Sequence, residues 1–126
     1  PNAAQAQVNG MMAEWQQQGT RLLAPALWVY EVTSAVTRVV QAKTLSEEAG
    51  RRALALAMKL DVRLVEPDAR QIQSAYEWTR RLKRAAAYDS FYLALAETEA
   101  CELWTADLRL VAAVNRPWVR SAPHPE

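Results

Sequence analysis

Residues 87–107 read AYDSFYLALAETEACELWTAD, and this stretch decides the fold. Its first half predicts a helix over roughly Asp89–Ala100, and Glu102–Thr105 predicts a strand that returns along it. The helix leads away from Asp89 by about 18 Å, at roughly 1.5 Å per residue. The strand and the turn after it return by about 20 Å, at roughly 3.3 Å per residue. We therefore expect Asp89 and Asp107 at the same end of this pair of elements.

The rest of the chain repeats this alternation of short strands and helical segments. Further strands are predicted at Arg21–Ala24, Val62–Val65 and Trp118–Arg120, and further helices at Ala3–Gln18, from Pro25 to about Ala42, from Asp68 to about Arg84 and at Leu108–Ala113. Such alternation predicts an α/β fold, a short-stranded parallel sheet covered by helices and rich in helix. We expect a single domain over residues 1–120 and a flexible tail over 121–126.

One more helix is predicted from a capping pattern. Thr44 and Glu47 have the spacing of a capping box, in which each side chain binds a free backbone amide at a helix start. The helix that follows is expected to turn an apolar face inward. That face comprises Ala49, Ala53, Leu56, Ala57 and Leu60.

The composition excludes several kinds of chemistry. The chain is 51% hydrophobic and 23% charged with a net charge of +1, which is typical of a folded protein without a broad cationic surface. Cys101 is its single cysteine and His124 its single histidine, which argues against a disulfide framework, a Cys-rich zinc site and a His-based triad. The longest apolar stretch, Leu22–Tyr30, is too short to cross a bilayer. With no signal-peptide pattern, we expect a cytoplasmic, reducing location, with Cys101 as a small buried hydrophobe.

Three acids are expected at the carboxyl ends of the predicted strands, where ligands bind in parallel α/β folds. Glu31 follows the first strand, Asp89 begins a helix and Asp107 follows the third strand. Asp89 and Asp107 could each be a helix N-cap only, and Glu31 could be a solvated residue on a helix flank. Their near sequence neighbours offer no matching cation, so together they favour a hard metal ion such as Mg²⁺ or Mn²⁺.

Three segments resemble the motifs of PIN-domain nucleases, and specifically the VapC-type ribonucleases of type II toxin–antitoxin systems. LLAPALWVYEV (residues 22–32) resembles the segment with their second acid. AYDSFYLALAE (residues 87–97) resembles their third-acid helix, and LWTAD (residues 103–107) resembles their last motif. The resemblance covers nearly the whole chain, and the Tyr-Asp helix followed by Thr-x-Asp is its most specific part.

The resemblance implies both a fold and an activity. The fold is a three-layer α/β/α sandwich, and the activity is Mg²⁺- or Mn²⁺-dependent hydrolysis of RNA phosphodiester bonds. Glu31, Asp89 and Asp107 would be catalytic, metal-binding acids, and Thr105 would be a polar neighbour that helps to orient the site. The family also implies a homodimer that a small antitoxin protein holds inhibited, and no membrane partner.

The family pattern also includes a first strand that ends in an aspartate, and this sequence begins after that point. A longer native chain, a shortened one and a degenerate protein would each explain the difference. The alternative function is therefore a catalytically incomplete PIN-like module that dimerises and binds a protein partner or RNA.

The basic cluster before Asp89 and three tryptophans have two readings each. Arg80, Arg81, Lys83 and Arg84 could contact the RNA backbone, or could be a solvated helix end whose cations suit the helix dipole. Aromatic residues are enriched at interfaces, so some of the tryptophans are candidates for a dimer or antitoxin surface, although burial within the monomer is the more common outcome. These candidates are Trp15, Trp78 and Trp118.

Overall fold

The computed structural model describes residues 3–122, with side chains from residue 10 onward. The elements in chain order are α1 (Ala3–Gln17), β1 (Leu22–Pro25), α2 (Trp28–Gln41), α3 (Glu47–Lys59), β2 (Val62–Val65), α4 (Ala69–Arg81), α5 (Tyr88–Glu99), β3 (Leu103–Thr105), α6 (Leu108–Val114) and β4 (Val119–Ser121). The chain divides into two compact units. The larger unit comprises residues 1–21 and 67–126, and the smaller unit comprises residues 22–66.

The larger unit contains the parallel pair β3–β4, in which Leu103 pairs with Val119 and Thr105 with Ser121. Its apolar core is formed by buried residues of α4, α5, α6 and β4, and partly buried residues pack around them. The buried members are Trp78, Leu93, Leu110, Val114 and Val119, and the surrounding ones are Leu82, Leu103, Val111 and Trp118. This core fixes the start of α5 and the end of β3, the two places where candidate site residues lie.

The smaller unit contains the parallel pair β1–β2, in register from Leu22 with Val62 to Pro25 with Val65. Its helices α2 and α3 approach closely at Gly50. A Cβ atom added to Gly50 would lie 2.6 Å from Val40 Cγ2 and 3.5 Å from Val36 Cγ1. Glycine therefore sets the distance between these two helices.

The structure confirms the predicted fold class: a helix-rich α/β chain whose short strands pair in parallel. Among the described strands, each pair forms its own two-stranded sheet within its own unit. Ser121 closes β4, and the amide of Ala122 donates to the carbonyl of Thr105 at 2.8 Å. Ordered pairing therefore reaches the first residues of the predicted tail, whereas residues 123–126 lie outside the described part of the chain.

The predicted starting points of two helices in the smaller unit, α2 and α3, are wrong. Pro25 ends β1 instead of opening α2, because the next amide, on Ala26, continues the ladder by donating to Val65 O at 3.0 Å. Ser46, not Thr44, caps α3, and its hydroxyl accepts from Ala49 N at 3.0 Å. Thr44 instead closes α2, since its amide donates to Val39 O at 2.9 Å.

The predicted inner face of α3 is also partly wrong. Leu56 is 66% exposed and Leu60 is 45% exposed. Ala49, Ala53 and Ala57 are half-buried, as the predicted face requires, and the buried Gly50 joins them where α2 and α3 approach closely.

Candidate functional site

Asp89 lies in the first turn of α5 and is paired with an arginine. Its Oδ2 accepts a hydrogen bond from Arg84 Nη1 at 3.2 Å, and the side chains of Arg84 and Asp89 are 30% and 45% exposed. The expectation that Asp89 has no matching cation nearby is therefore wrong. The carboxylate is already neutralised from within its own unit.

The closing turn of α4 explains how Arg84 reaches Asp89. Lys83 adopts a left-handed conformation (φ 55°), although it is not a glycine. Its amide donates to Arg80 O, and the amide of Arg84 donates to Thr79 O, the paired bonds of a Schellman motif. This motif ends the helix after Arg81 and reverses the chain, so Arg84 and Asp89 face each other across a short loop.

A buried hydroxyl pair anchors the start of α5. Ser90 is fully buried, and its Oγ lies 2.8 Å from Oγ1 of Thr79 on α4. Thr79 Oγ1 also lies 2.7 Å from the carbonyl oxygen of Ala75. Because Thr79 has one hydroxyl proton, donation to Ala75 leaves Ser90 as the donor to Thr79. Sequence reasoning missed this pair, whose only signal is a serine at the head of the apolar run FYLALA.

Asp107 caps α6, and Thr105 holds it in place. Asp107 Oδ1 accepts from Leu110 N at 3.1 Å, and the amide of Asp107 donates to Thr105 Oγ1 at 3.1 Å. Asp107 is therefore the N-cap of α6, as the structural alternative for this residue predicted. The cap occupies one carboxylate oxygen, so it does not by itself prevent the other from binding a ligand. The site-supporting role predicted for Thr105 has a physical basis, because its hydroxyl fixes the backbone of Asp107.

Asp89 and Asp107 belong to one edge of the larger unit. Only residues 100–102 separate α5 from β3, and the two elements are in contact. Such a short connection makes them run antiparallel, so the first turn of α5 and the end of β3 lie at the same side. We call Asp89, Thr105 and Asp107 the acid edge.

Glu31 belongs to the smaller unit. It lies in the first turn of α2, is partly buried, and its amide donates to Leu27 O at 3.1 Å. Within the described part of the chain, no group of three or more His, Cys, Asp or Glu side chains is placed to hold a metal ion. The joint metal site of Glu31, Asp89 and Asp107 therefore stays a prediction.

The donor chemistry of the acid edge nevertheless fits a hard cation. Asp89 and Asp107 are carboxylates, the oxygen ligands that Mg²⁺ and Mn²⁺ prefer. Asp89 lies partly exposed and Asp107 exposed, so solvent and a hydrated ion can reach both. The ion pair with Arg84 shows that the Asp89 carboxylate binds a positively charged group.

The four residues of the predicted basic cluster have different surroundings. Arg80 lies over the ring of Tyr76 with its Cζ 5.8 Å from the centroid, and Arg81 lies over Trp78 at 4.4 Å. Arg84 binds Asp89, and Lys83 occupies the left-handed turn. Arg116, which the sequence analysis did not single out, also lies over Trp78, at 5.6 Å.

Of the tryptophans of the larger unit, Trp78 is buried, whereas Trp15, Trp104 and Trp118 are half-buried. Trp78 is 3% exposed and meets Trp118 edge-to-face with ring centroids 6.0 Å apart. Trp15 meets Trp104 in the same way at 5.4 Å. Trp78 is thus not available as an interface residue, because its ring is enclosed by α4, α5 and α6.

Cys101 is exposed, so its prediction as a buried hydrophobe is wrong. The left-handed Ala100 ends α5 and turns Cys101 away from the core. Partial desolvation of the thiol raises its pKa, and the carboxylates of Glu99 and Glu102 raise it further. A raised pKa keeps the thiol protonated at neutral pH, which does not favour a nucleophilic role.

Together these features define a class of protein: a helix-rich α/β chain with parallel strands and acidic side chains at strand–helix junctions. Residues 5–115 match the PIN domain family, and the chain belongs to that family. VapC ribonuclease Mb0985 of Mycobacterium bovis and ribonuclease VapC9 of Mycobacterium tuberculosis are each 39% identical to it over 90 residues. The aligned part spans 71% of this chain and 68% of each relative. No solved structure matches significantly.

Across residues 3–122, the helices are all too short or too polar to cross a membrane. This agrees with the absence of a long apolar run in that part of the sequence.

Proposed function

We propose that this protein is a metal-dependent endoribonuclease that hydrolyses RNA phosphodiester bonds, and that it is the toxin of a toxin–antitoxin pair. The observation that carries the proposal is the 39% identity to proteins named VapC ribonuclease, within a chain that belongs to the PIN domain family. The acid edge supports it, since two carboxylates lie where a parallel α/β fold binds ligands.

Each site residue has a proposed role. Asp89 and Asp107 would hold Mg²⁺ or Mn²⁺ together with Glu31, and Thr105 positions Asp107 through its backbone amide. When bound, such an ion activates water and stabilises charge on the phosphate and the leaving oxygen. The buried Ser90–Thr79 pair keeps the first turn of α5 fixed, so the backbone that carries Asp89 is held in place. Arg84 offsets the charge of Asp89 that would otherwise repel an RNA phosphate.

The proposed partners follow from the same relatives. We propose an RNA substrate, a cognate antitoxin protein, a homodimeric assembly and a cytoplasmic location. The name VapC, as the relatives carry it, supports the toxin and its antitoxin.

One observation favours the second candidate function, a PIN-like module that binds a partner or RNA without cleaving. Within residues 10–122, the acids are not gathered into a ready metal-binding group of three. Under this alternative, the acidic residues contribute caps and ion pairs only, as Asp107 and Asp89 do here.

A substitution at Asp89 separates the two candidates. In the full-length natural polypeptide with Mg²⁺ or Mn²⁺, Asp89→Asn should lower the rate of RNA cleavage by at least about 100-fold, because a ligand charge is lost. The matched control is Asp68→Asn, which makes the same change at the N-cap of α4, where Asp68 Oδ1 accepts from Gln71 N at 2.8 Å. Asparagine caps helices as well as aspartate does, so this control should cleave normally.

Cleavage would be followed on labelled single-stranded RNA by gel electrophoresis, with circular dichroism to show that each variant is folded. Undiminished metal-dependent cleavage by Asp89→Asn would refute the role of Asp89. A folded wild type that binds RNA without cleaving it would support the second candidate instead.

A further inference from the structure

Two arginines from distant parts of the sequence converge on one buried ring. Arg81, at the end of α4, has its Cζ 4.4 Å from the centroid of Trp78, and Arg116, in the loop before β4, has its Cζ 5.6 Å from the same centroid. Because both distances share one centroid, the two guanidinium carbons lie at most about 10 Å apart. Both arginines are exposed, whereas the ring beneath them is 3% exposed.

In the described part of the chain, neither Arg81 nor Arg116 forms an ion pair. The ion pairs there involve Arg51, Arg52, Arg84 and Arg120. Glu97 is engaged with the ring itself, since its Oε1 accepts from Trp78 Nε1 at 3.4 Å and from Ser74 Oγ at 3.0 Å. The Glu97 carboxylate offsets part of the positive charge at the ring, but neither guanidinium is paired with it, so both can bind an anion.

The geometry favours a phosphate as that anion. A guanidinium offers several donors in a rigid fork that matches the oxygens of a phosphate. The guanidinium groups of both arginines rest over the indole, so less side-chain entropy is lost when they bind. The ring is too buried for a base to stack on it, so the exposed guanidinium forks are the contact surface, and phosphate oxygens match their geometry.

Arg81 is connected to the acid edge through the end of α4, whereas Arg116 lies in the loop before β4, at the amino ends of the parallel pair β3–β4. Arg81 precedes Arg84 by three residues, and Arg84 binds Asp89 at 3.2 Å. We propose that Arg81 and Arg116, held on Trp78, form a clamp for the phosphate backbone of single-stranded RNA outside the acid edge. This inference rests on the proposed function, adds Arg116 to the RNA surface, and assigns Arg84 to the acid edge instead of that surface.

The salt dependence of RNA binding tests the clamp without requiring cleavage. Binding of a fluorescein-labelled oligouridine would be measured by anisotropy in EDTA over a range of NaCl concentrations. Each phosphate contact on a single strand contributes about 0.7 to the slope of log K against log salt. Arg81→Gln and Arg116→Gln should each lower that slope by about 0.7, and each should weaken binding about fourfold near 0.15 M salt. The double variant should lose about twice as much slope.

The matched control is the double variant Arg51→Gln/Arg52→Gln, which removes two exposed arginines of α3 that pair with Glu48. It should leave the slope unchanged. Arg81→Lys/Arg116→Lys retains both charges but not the fork, so it should keep the slope and lose part of the affinity. Arg116→Gln alone carries the test if the double variant does not fold, because Arg116 lies farther from the ring than Arg81.

Unchanged slopes in folded Arg81→Gln and Arg116→Gln would overturn the clamp and leave the two contacts as stabilisation of Trp78. An equal loss in the control would overturn it as well. Binding of a labelled oligoglutamate that depends on the two arginines, with RNA binding unaffected, would identify a protein-docking surface instead. If the variants lower the salt-dependence slope but the wild type cleaves no RNA, the clamp stands and the proposed nuclease activity is refuted. If the wild type cleaves RNA but the variants leave the slope unchanged, the nuclease activity stands and the clamp is refuted.

Discussion

Asp107 shows at the scale of one residue how a structural and a chemical role can share a side chain. Oδ1 caps α6 through Leu110 N, and the amide of the same residue is held by Thr105. A cap needs an acceptor oxygen at this position, whereas a metal ligand also needs the negative charge. The two roles can therefore be separated by choosing the substitution.

We predict that Asp107→Asn retains stability and loses cleavage, whereas Asp107→Ala loses both. Asparagine keeps the acceptor, so the free energy of unfolding should stay within a few tenths of a kcal/mol, while alanine should lower it by about 1 kcal/mol. Urea unfolding and a cleavage assay on the same preparations measure the two effects. If Asp107→Asn cleaved at the normal rate, Asp107 would be a cap only.

Cys101 gives a prediction about pH. Because its pKa is raised, the thiolate that reacts with iodoacetamide forms only at a higher pH than for a free cysteine. Glu99→Gln removes one of the charges that raise it, so alkylation at pH 8 should become faster. Glu77→Gln, a change of the same kind on α4, is the control and should have no effect. Equal rates in all three proteins would show that the carboxylate of Glu99 does not act on the thiol.

At the scale of elements, the contact between α2 and α3 depends on the lack of a side chain at Gly50. An added Cβ would meet the stiff, β-branched Val40 at 2.6 Å. We predict that Gly50→Ala lowers the free energy of unfolding by about 1 kcal/mol, because overpacking outweighs the gain of about 1 kcal/mol in helix propensity.

A double-mutant cycle isolates that clash. Val40→Ala alone should destabilise the protein, since it leaves unfilled space, but Gly50→Ala should cost less in the Val40→Ala background than in the wild type. The measurement is urea unfolding of the four proteins. Additive effects would place the cost of Gly50→Ala somewhere other than this contact.

Sequence reasoning located the elements but missed the turns that orient them. β2 was predicted at its observed bounds, and the start of α4 at Asp68 and the N-cap alternative for Asp107 were recognised, because apolar runs and caps are local patterns. Lys83 was not recognised as the left-handed residue that brings Arg84 to Asp89, since that conformation usually takes glycine. Ser46 was missed because Thr44 has an equally good capping pattern.

At the scale of the whole molecule, the larger unit brings together residues that local patterns do not connect. Trp78 and Arg116 are far apart in sequence and meet only because α4 and the loop before β4 share one core. Contacts of this kind depend on tertiary packing, and the spacing of residues within a short stretch of sequence does not predict them. The order of acidic motifs, in contrast, was readable from the chain, and the match of residues 5–115 to the PIN domain family confirms that reading of the family.

The most direct test of the proposed function is RNA cleavage by the full-length natural polypeptide as the divalent metal is removed and restored. The assay would compare protein treated with EDTA, then dialysed, with the same protein after addition of Mg²⁺ or Mn²⁺. We predict no cleavage in EDTA and recovery of the full rate once the metal is returned, because in the proposed mechanism the bound cation would activate water and stabilise charge on the phosphate. Cleavage that continues undiminished in EDTA, or a folded protein that cleaves no RNA with either metal, would contradict the proposal.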